Sequence, residues 1–395
     1  MRYWILLGLL CASVAQADNQ KNHAEILDAL RAQYLEAGST ESILFWSDEQ
    51  RRVGFREITN IAATREVHKG ETTYTLKEQP VDLRGVSYEL NGETRTVQDF
   101  IDRDDTIGLI VVHKDNIIFE SCQEGNDKSS RWVSFSVTKS VTSMLIGAAI
   151  KDGYIESVFE PVVNYLPRLR GTAYEKTTIR DVLQMSSGVA WNEDYADPNS
   201  DVANAGALNG LPLVRYLANL EVDEIPGQKF NYSTGETNLV GQILRAAIGN
   251  NAATYLTDKI WQPFGMEFDA SWTLDGENGP ELGGCCINAT LRDYARLGIF
   301  AMKNGVLSDG TKVLPDDWMK DSTTPSTGFK GYGYLWWLTE NGHFMARGIF
   351  GQNIYIEADE ELIIAMHNNA AAAVGTDLHK ELDLVIEAIS AHIAM

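Results

Sequence analysis

From Val137 to Ile150 the chain contains no proline and is apolar on nearly every face, yet it carries a lysine, Lys139, in its first turn. A helix that is apolar all round has no solvent face, so other elements must enclose it on every side. This segment therefore belongs in the middle of the fold, with Gly153 as its stop. The chain can supply such an enclosure: 395 residues with 44% hydrophobic content allow a large core, arranged as one two-lobed unit or two domains.

The flanking patterns say what the enclosure is made of. Residues Thr106 to His113 are strongly β-forming, Lys114-Asp115-Asn116 is turn-like and Ile117 to Cys122 is apolar again, which predicts a hairpin. Tyr332 to Thr339, His343 to Glu357 and Glu361 to Asn368 predict strands, and Leu378, Leu382, Val385, Ile386 and Ile389 mark a closing helix. Between them, from about Ser157 to Gly284, amphipathic stretches alternate with Gly, Pro and Asn breaks. An amphipathic stretch from Ala24 to Glu36 precedes irregular and strand-like sequence up to about Ile101. The resulting expectation is an α/β (α+β) protein with a central antiparallel sheet flanked by helices and an inserted all-helical lobe. Its segments are 1–17 as a signal peptide, 18–105 as an N-terminal extension, 106–156 with 285–395 as the sheet-containing lobe and 157–284 as the helical lobe. Clefts between such lobes commonly hold ligands.

Met1-Arg2-Tyr3, the apolar run Trp4 to Val14 and Ala15-Gln16-Ala17 have the three regions of a secretory signal, with cleavage expected after Ala17. The run is well short of the ~20 apolar residues of a spanning helix, so the mature chain is expected to be secreted or periplasmic, without an integral membrane segment. Cys122, Cys285 and Cys286 then remain, an odd number for an oxidising compartment. At least one stays free or pairs between chains, and a bridge between the adjacent Cys285 and Cys286 is expected to be strained across a trans peptide. The formal charge of -22, with scattered Lys and Arg, repels a phosphate backbone and excludes nucleic acid as a partner. The seven His residues are dispersed and no cysteine spacing suits zinc, so no metal and no cofactor is expected.

The chemistry concentrates in Trp132-Val133-Ser134-Phe135-Ser136-Val137-Thr138-Lys139-Ser140. Ser136 stands at the head of the apolar helix, and Lys139, three residues on, shares its face. Unpaired N–H groups and the positive helix end suit an oxyanion, and a lysine desolvated by Val137 and Met144 can be neutral and accept the serine proton. The alternative is a serine that merely caps the helix beside a lysine that snorkels to solvent. A second element, Pro226-Gly227-Gln228-Lys229-Phe230-Asn231-Tyr232-Ser233, offers Tyr232 as a proton carrier between Ser136, Lys139 and a leaving group, or as a plain core aromatic. A third, Ala346-Arg347-Gly348-Ile349-Phe350-Gly351-Gln352, is glycine-rich within strand-like sequence, where a substrate backbone can approach. No Gly-x-Ser-x-Gly elbow occurs.

These three segments and their order resemble the serine β-lactamase-related family: class C β-lactamases, penicillin-binding carboxypeptidases, family VIII esterases and 6-aminohexanoate-dimer hydrolase. The resemblance extends from about Thr106 to His392 and includes Ile179 to Gly188, Gly283-Gly284 followed by Thr290-Leu291-Arg292-Asp293, and Tyr332 to Trp337. It implies a β-lactamase/transpeptidase-like fold, Ser136 as acylated nucleophile, Lys139 as base, Tyr232 as proton shuttle and an oxyanion hole from the N–H groups of Ser136 and Ile349. Two departures bear on the substrate. Tyr232-Ser233-Thr234 replaces the family's Tyr-x-Asn, and Ala346-Arg347-Gly348 replaces Lys-Thr-Gly. Arg347 is either a carboxylate fork or a solvated surface arginine. The loop Trp191-Asn192-Glu193-Asp194-Tyr195 is similar to that of 6-aminohexanoate-dimer hydrolase, where a tyrosine contacts the substrate amide. Tyr195 is the matching position, and the plain reading of the loop is an acidic turn.

The sequence thus points to an exported serine hydrolase, an amidase or esterase acting through an acyl-enzyme on a small-molecule ester or amide. Its expected site is Ser136, Lys139 and Tyr232, with Ile349 in the oxyanion hole and Tyr195, Arg347 and Gly348 at the substrate. A D-Ala carboxypeptidase or weak class C-type β-lactamase is the nearest alternative, and a non-catalytic penicillin-binding-like sensor is the alternative outside enzymes.

Overall fold

The structure, a computed structural model, describes residues 21–36 and 41–395, so the signal expected at 1–17 lies outside the described residues. The expected hairpin forms from Thr106–His113 and Asn116–Cys122. His113 pairs with Asn116 across a two-residue turn in which Lys114 and Asp115 both have positive φ, 50° and 60°. That conformation gives the turn a twist matching the strands.

The hairpin is built into a seven-stranded sheet. Its order is Trp337–Leu338, Phe344–Arg347, Asn353–Glu357, Leu362–Asn368, Thr106–His113, Asn116–Cys122 and Lys77–Glu78. All neighbours are antiparallel except the last pair, which is parallel. The strands alternate cleanly between two cores. Ile110, Val112, Ile363 and Ala365 enter the core that holds the apolar helix. Leu109, Val111, Ile364 and Met366 enter the core beneath the closing helix Asp377–Ile393. Burial on both faces explains why these strands read as continuous apolar runs.

Three expectations about strands change, the first being Tyr332 to Thr339, which is a strand only at Trp337–Leu338 because Leu335 turns the chain with φ 61°. The stretch His343 to Glu357 is two strands, because Gly348 to Gln352 makes a turn in which Gly351 has φ 91°. The expected all-helical lobe also contains a strand, Ala270–Thr273. It lies in a separate four-stranded sheet ordered Thr64–Val67, Ala270–Thr273, Ile287–Thr290 and Arg131–Val133. This short strand is buried at every position, so it shows no alternation from which to recognise it.

The apolar helix spans Val137–Lys151 and is buried at every position from Val137 to Ala149. Three of its buried hydroxyls are bonded to the surrounding chain, while Ser143 Oγ has no partner among the described residues. Ser140 donates to the Leu335 carbonyl at 2.7 Å, Thr142 to the Gly283 carbonyl at 2.6 Å, and Thr138 accepts from the Ile287 N–H at 2.9 Å. Buried hydroxyls with partners avoid the cost of desolvation and fix the helix against two loops and the strand Ile287–Thr290.

The N-terminal extension is tied into the same unit. The buried Glu281 carboxylate pairs with Arg65 from the extension and with Arg245 at 2.9 Å, and accepts from the Ala252 and Ala253 N–H groups, each at 3.2 Å. Removing one member of a buried ion pair strands the others, at a cost of about 3–5 kcal/mol. Glu281→Ala is therefore expected to lower stability by about that amount in chemical denaturation, with Glu281→Gln recovering part of the loss. Cys285 and Cys286 are joined to each other with a cis peptide bond between them, not the trans bond expected, and Cys122 is the free cysteine among the described residues.

Candidate active site

The strand Arg131–Val133 and the helix Val137–Lys151 are joined by Ser134-Phe135-Ser136. Phe135 takes a left-handed backbone, φ 45°, a costly conformation for an aromatic residue. Ser136 follows at the N-cap position, yet its side chain makes no capping hydrogen bond. The capping alternative is thereby removed, and the hydroxyl is left for other work.

Lys139 does not snorkel. It is 1% exposed, and its Nζ donates to the Gly284 carbonyl at 2.9 Å and to Thr234 Oγ1 at 3.1 Å. Burial lowers its pKa to about 8, opposed by the charge of Glu193. Two hydrogens of a neutral amine are thus committed to acceptors, and the nitrogen keeps one lone pair for a proton. Gly284 is needed for this approach, since a Cβ there would stand 3.0 Å from Nζ.

Tyr232 lies beside the lysine, with Nζ 5.3 Å from its ring centroid. The ring stacks on Trp337 at 5.7 Å and meets Tyr332 edge-on at 6.1 Å. Burial and then the Glu193 charge push its phenol well up, opposed by hydrogen bonding to Ser136. A phenol so shifted stays protonated at neutral pH, which makes Lys139, rather than a tyrosinate, the group able to act as base.

Glu193 was not singled out from the sequence, where its loop offered Tyr195 as a substrate contact or a plain acidic turn. Its Oε1 accepts from the Tyr195 hydroxyl at 2.7 Å and from the Thr234 hydroxyl, and its Oε2 accepts from the Thr234 N–H at 2.9 Å and from the Trp191 indole. Thr234, at the position where the family has Asn, therefore donates its hydrogen to Glu193 and offers a lone pair to Lys139. The only signal available was that substitution itself. Nearby Glu236 is fully enclosed and burial raises it to about 8, so it is neutral near pH 7 and leaves Glu193 as the carboxylate acting on the amine.

A cavity of about 490 Å³, counting its open mouth, brings Ser136, Tyr195, Thr234, Gly284 and Ile349 together. Among the described residues, neither the Ser136 nor the Ile349 backbone N–H has an intramolecular partner. The Ile349 carbonyl accepts from His379 Nε2 at 3.0 Å, which steadies that turn. Arg347 and Gly348 stand apart from this group. The Arg347 guanidinium pairs with Asp383 and lines a different cavity with His343 and Tyr355. The backbone that approaches Gly348 is the chain's own, because a Cβ there would come within 2.6 Å of the Ser134 carbonyl.

Residues 94–385 match the family described as Beta-lactamase. The chain belongs to the beta-lactamase family. A 6-aminohexanoate-dimer hydrolase from Paenarthrobacter ureafaciens is 28% identical over 283 residues, 66% of this chain and 71% of the relative. A solved structure from Bacillus anthracis, described as a candidate 6-aminohexanoate-dimer hydrolase, superposes with a TM-score of 0.76 at 21% identity, covering 87% of this chain and 95% of that one. A family VIII carboxylesterase shares the fold with a TM-score of 0.58 at 14% identity, over 74% of this chain and 95% of the other. This beta-lactamase-family chain is thus a member of a group of serine hydrolases that includes amidases and esterases, with the fold expected from its sequence.

Proposed function

We propose that this chain is an exported amidase or esterase that works through an acyl-enzyme on Ser136. The observation that carries the reading is the enclosed Lys139 amine, held by two acceptors and shifted toward neutrality one helical turn on from an uncapped serine. Ser136 Oγ attacks the substrate carbonyl carbon as its proton passes to Lys139. The N–H groups of Ser136 and Ile349 receive the oxyanion. When the tetrahedral intermediate collapses, the bond to the leaving oxygen or nitrogen breaks, and that atom takes the proton from Lys139 by way of Tyr232. Water then repeats the sequence on the ester, releasing the acid and restoring Ser136. Tyr195 has given its hydrogen to Glu193, so toward a substrate it acts as an acceptor, suited to an amide N–H. Export rests on the signal-like segment Met1 to Ala17.

A fluorophosphonate probe should label the wild type stoichiometrically and leave Ser136→Ala unlabelled, with both proteins giving the same circular dichroism. Absence of labelling in folded wild type would favour the sensor alternative. p-Nitrophenyl butyrate should turn over much faster than a chromogenic cephalosporin, because the carboxylate holder of the β-lactamases is replaced and Arg347 is engaged with Asp383. The reverse order would favour the β-lactamase alternative.

A further inference from the structure

Among the described residues, the cavity that opens at Ser136 has no charged side chain in its lining. Its walls are chiefly Ile43, Leu44, Phe135, Val202, Leu282 and Ile349. The hydroxyls of Tyr195 and Thr234, which also reach it, have both given their hydrogens to Glu193. A carboxylate on a chain lying here would lose its water with no counter-charge in the described lining, and an ammonium would meet only the Glu193 carboxylate behind Tyr195 and Thr234, whose oxygens already hold four donors. Anions meet a further obstacle in the formal charge of -22. An aliphatic chain pays no such cost and gains from covering the same surface.

Ile43 and Leu44 come from the N-terminal extension, outside the segment 94–385 that matches the family. Ile43 is buried and Leu44 half-buried, and both reach a cavity otherwise built by the family segment and the helical lobe. Resting on the acyl-enzyme reading above, we infer that the acyl group accepted by this site is an uncharged aliphatic chain, and that Ile43 and Leu44 form the wall that selects it.

The experiment measures kcat/KM of the full chain on three p-nitrophenyl esters of matched length: hexanoate, 6-aminohexanoate and the half-ester of adipate. The uncharged ester should exceed each charged one by at least about tenfold. Leu44→Glu should raise the ratio of 6-aminohexanoate to hexanoate turnover. The milder Leu44→Ala, which keeps the segment apolar, should lower the ratio of hexanoate to acetate turnover. Charged esters that match or exceed hexanoate would overturn the inference, as would ratios that neither Leu44 variant moves. Fluorophosphonate labelling separates the two levels: labelled protein that prefers a charged acyl group refutes the pocket inference alone, whereas folded protein that does not label removes the acyl-enzyme reading beneath it.

Discussion

Lys139→Ala is expected to lower kcat/KM on a p-nitrophenyl ester by about 10³-fold, in the range lost when a positioned proton-transfer group is removed. The pH dependence identifies the cause. A lysine base works only when neutral, and burial brings the Lys139 pKa down to about 8. Wild-type activity should therefore climb as pH rises through about 8 and level off above it. Lys139→Ala should lose that limb along with the rate. If the tyrosine were the base, the climb would lie far higher, since the surroundings push the Tyr232 phenol up. A wild-type limb well above that of an ordinary phenol, retained in Lys139→Ala, would defeat the assignment.

Glu193→Gln should have the next largest effect, a fall in kcat of about 10- to 100-fold, the order expected when reacting groups lose their alignment. Four donors converge on the carboxylate. An amide can keep its oxygen toward the two N–H donors, but it then turns its NH2 toward the hydroxyls of Tyr195 and Thr234. Those hydroxyls must reverse. The Thr234 hydrogen is then free to point at the lone pair of Lys139, in competition with Ser136. Loss of the carboxylate also removes the charge that raises the lysine pKa, so the activity limb should move to lower pH. Glu193→Asp, which keeps the charge, should keep the limb nearer its original place. A residue that merely braced the loop would change the amount of folded protein and leave the limb where it was, and that outcome would sink the proposed role.

The parts of the site legible in the sequence were those written locally. Ser136 and Lys139 lie on one helix, so their spacing alone places them on one face, and the apolar composition of that helix requires the lysine to be enclosed. Tyr232 and Ile349 were reached through resemblance, and the structure sets Tyr232 beside Lys139 and Ile349 in the cavity with Ser136. Glu193 could not be read this way, because its partners come from its own loop and from residues around Thr234 that meet only in the folded chain. Arg347 shows the opposite difficulty. On Phe344–Arg347 the side chains of Phe344 and Ala346 enter the core of the apolar helix and Met345 enters the other, so Arg347 shares the face of Met345 and leaves toward Asp383. A shift of one position decides the face of a strand residue, and sequence resemblance between Lys-Thr-Gly and Ala-Arg-Gly does not carry that parity.

The Ile43–Leu44 wall gives the molecule a division of labour along its length. On the proposed reading, proton transfer rests on Ser136, Lys139 and Tyr232, all within the segment that matches the family, while the N-terminal extension, anchored through Arg65 to Glu281, supplies Ile43 and Leu44 to one side of the chamber. Exchanging that opening portion among related enzymes would then redirect what is hydrolysed without rewriting how, so diversification within such a lineage has a route that never disturbs its most constrained residues.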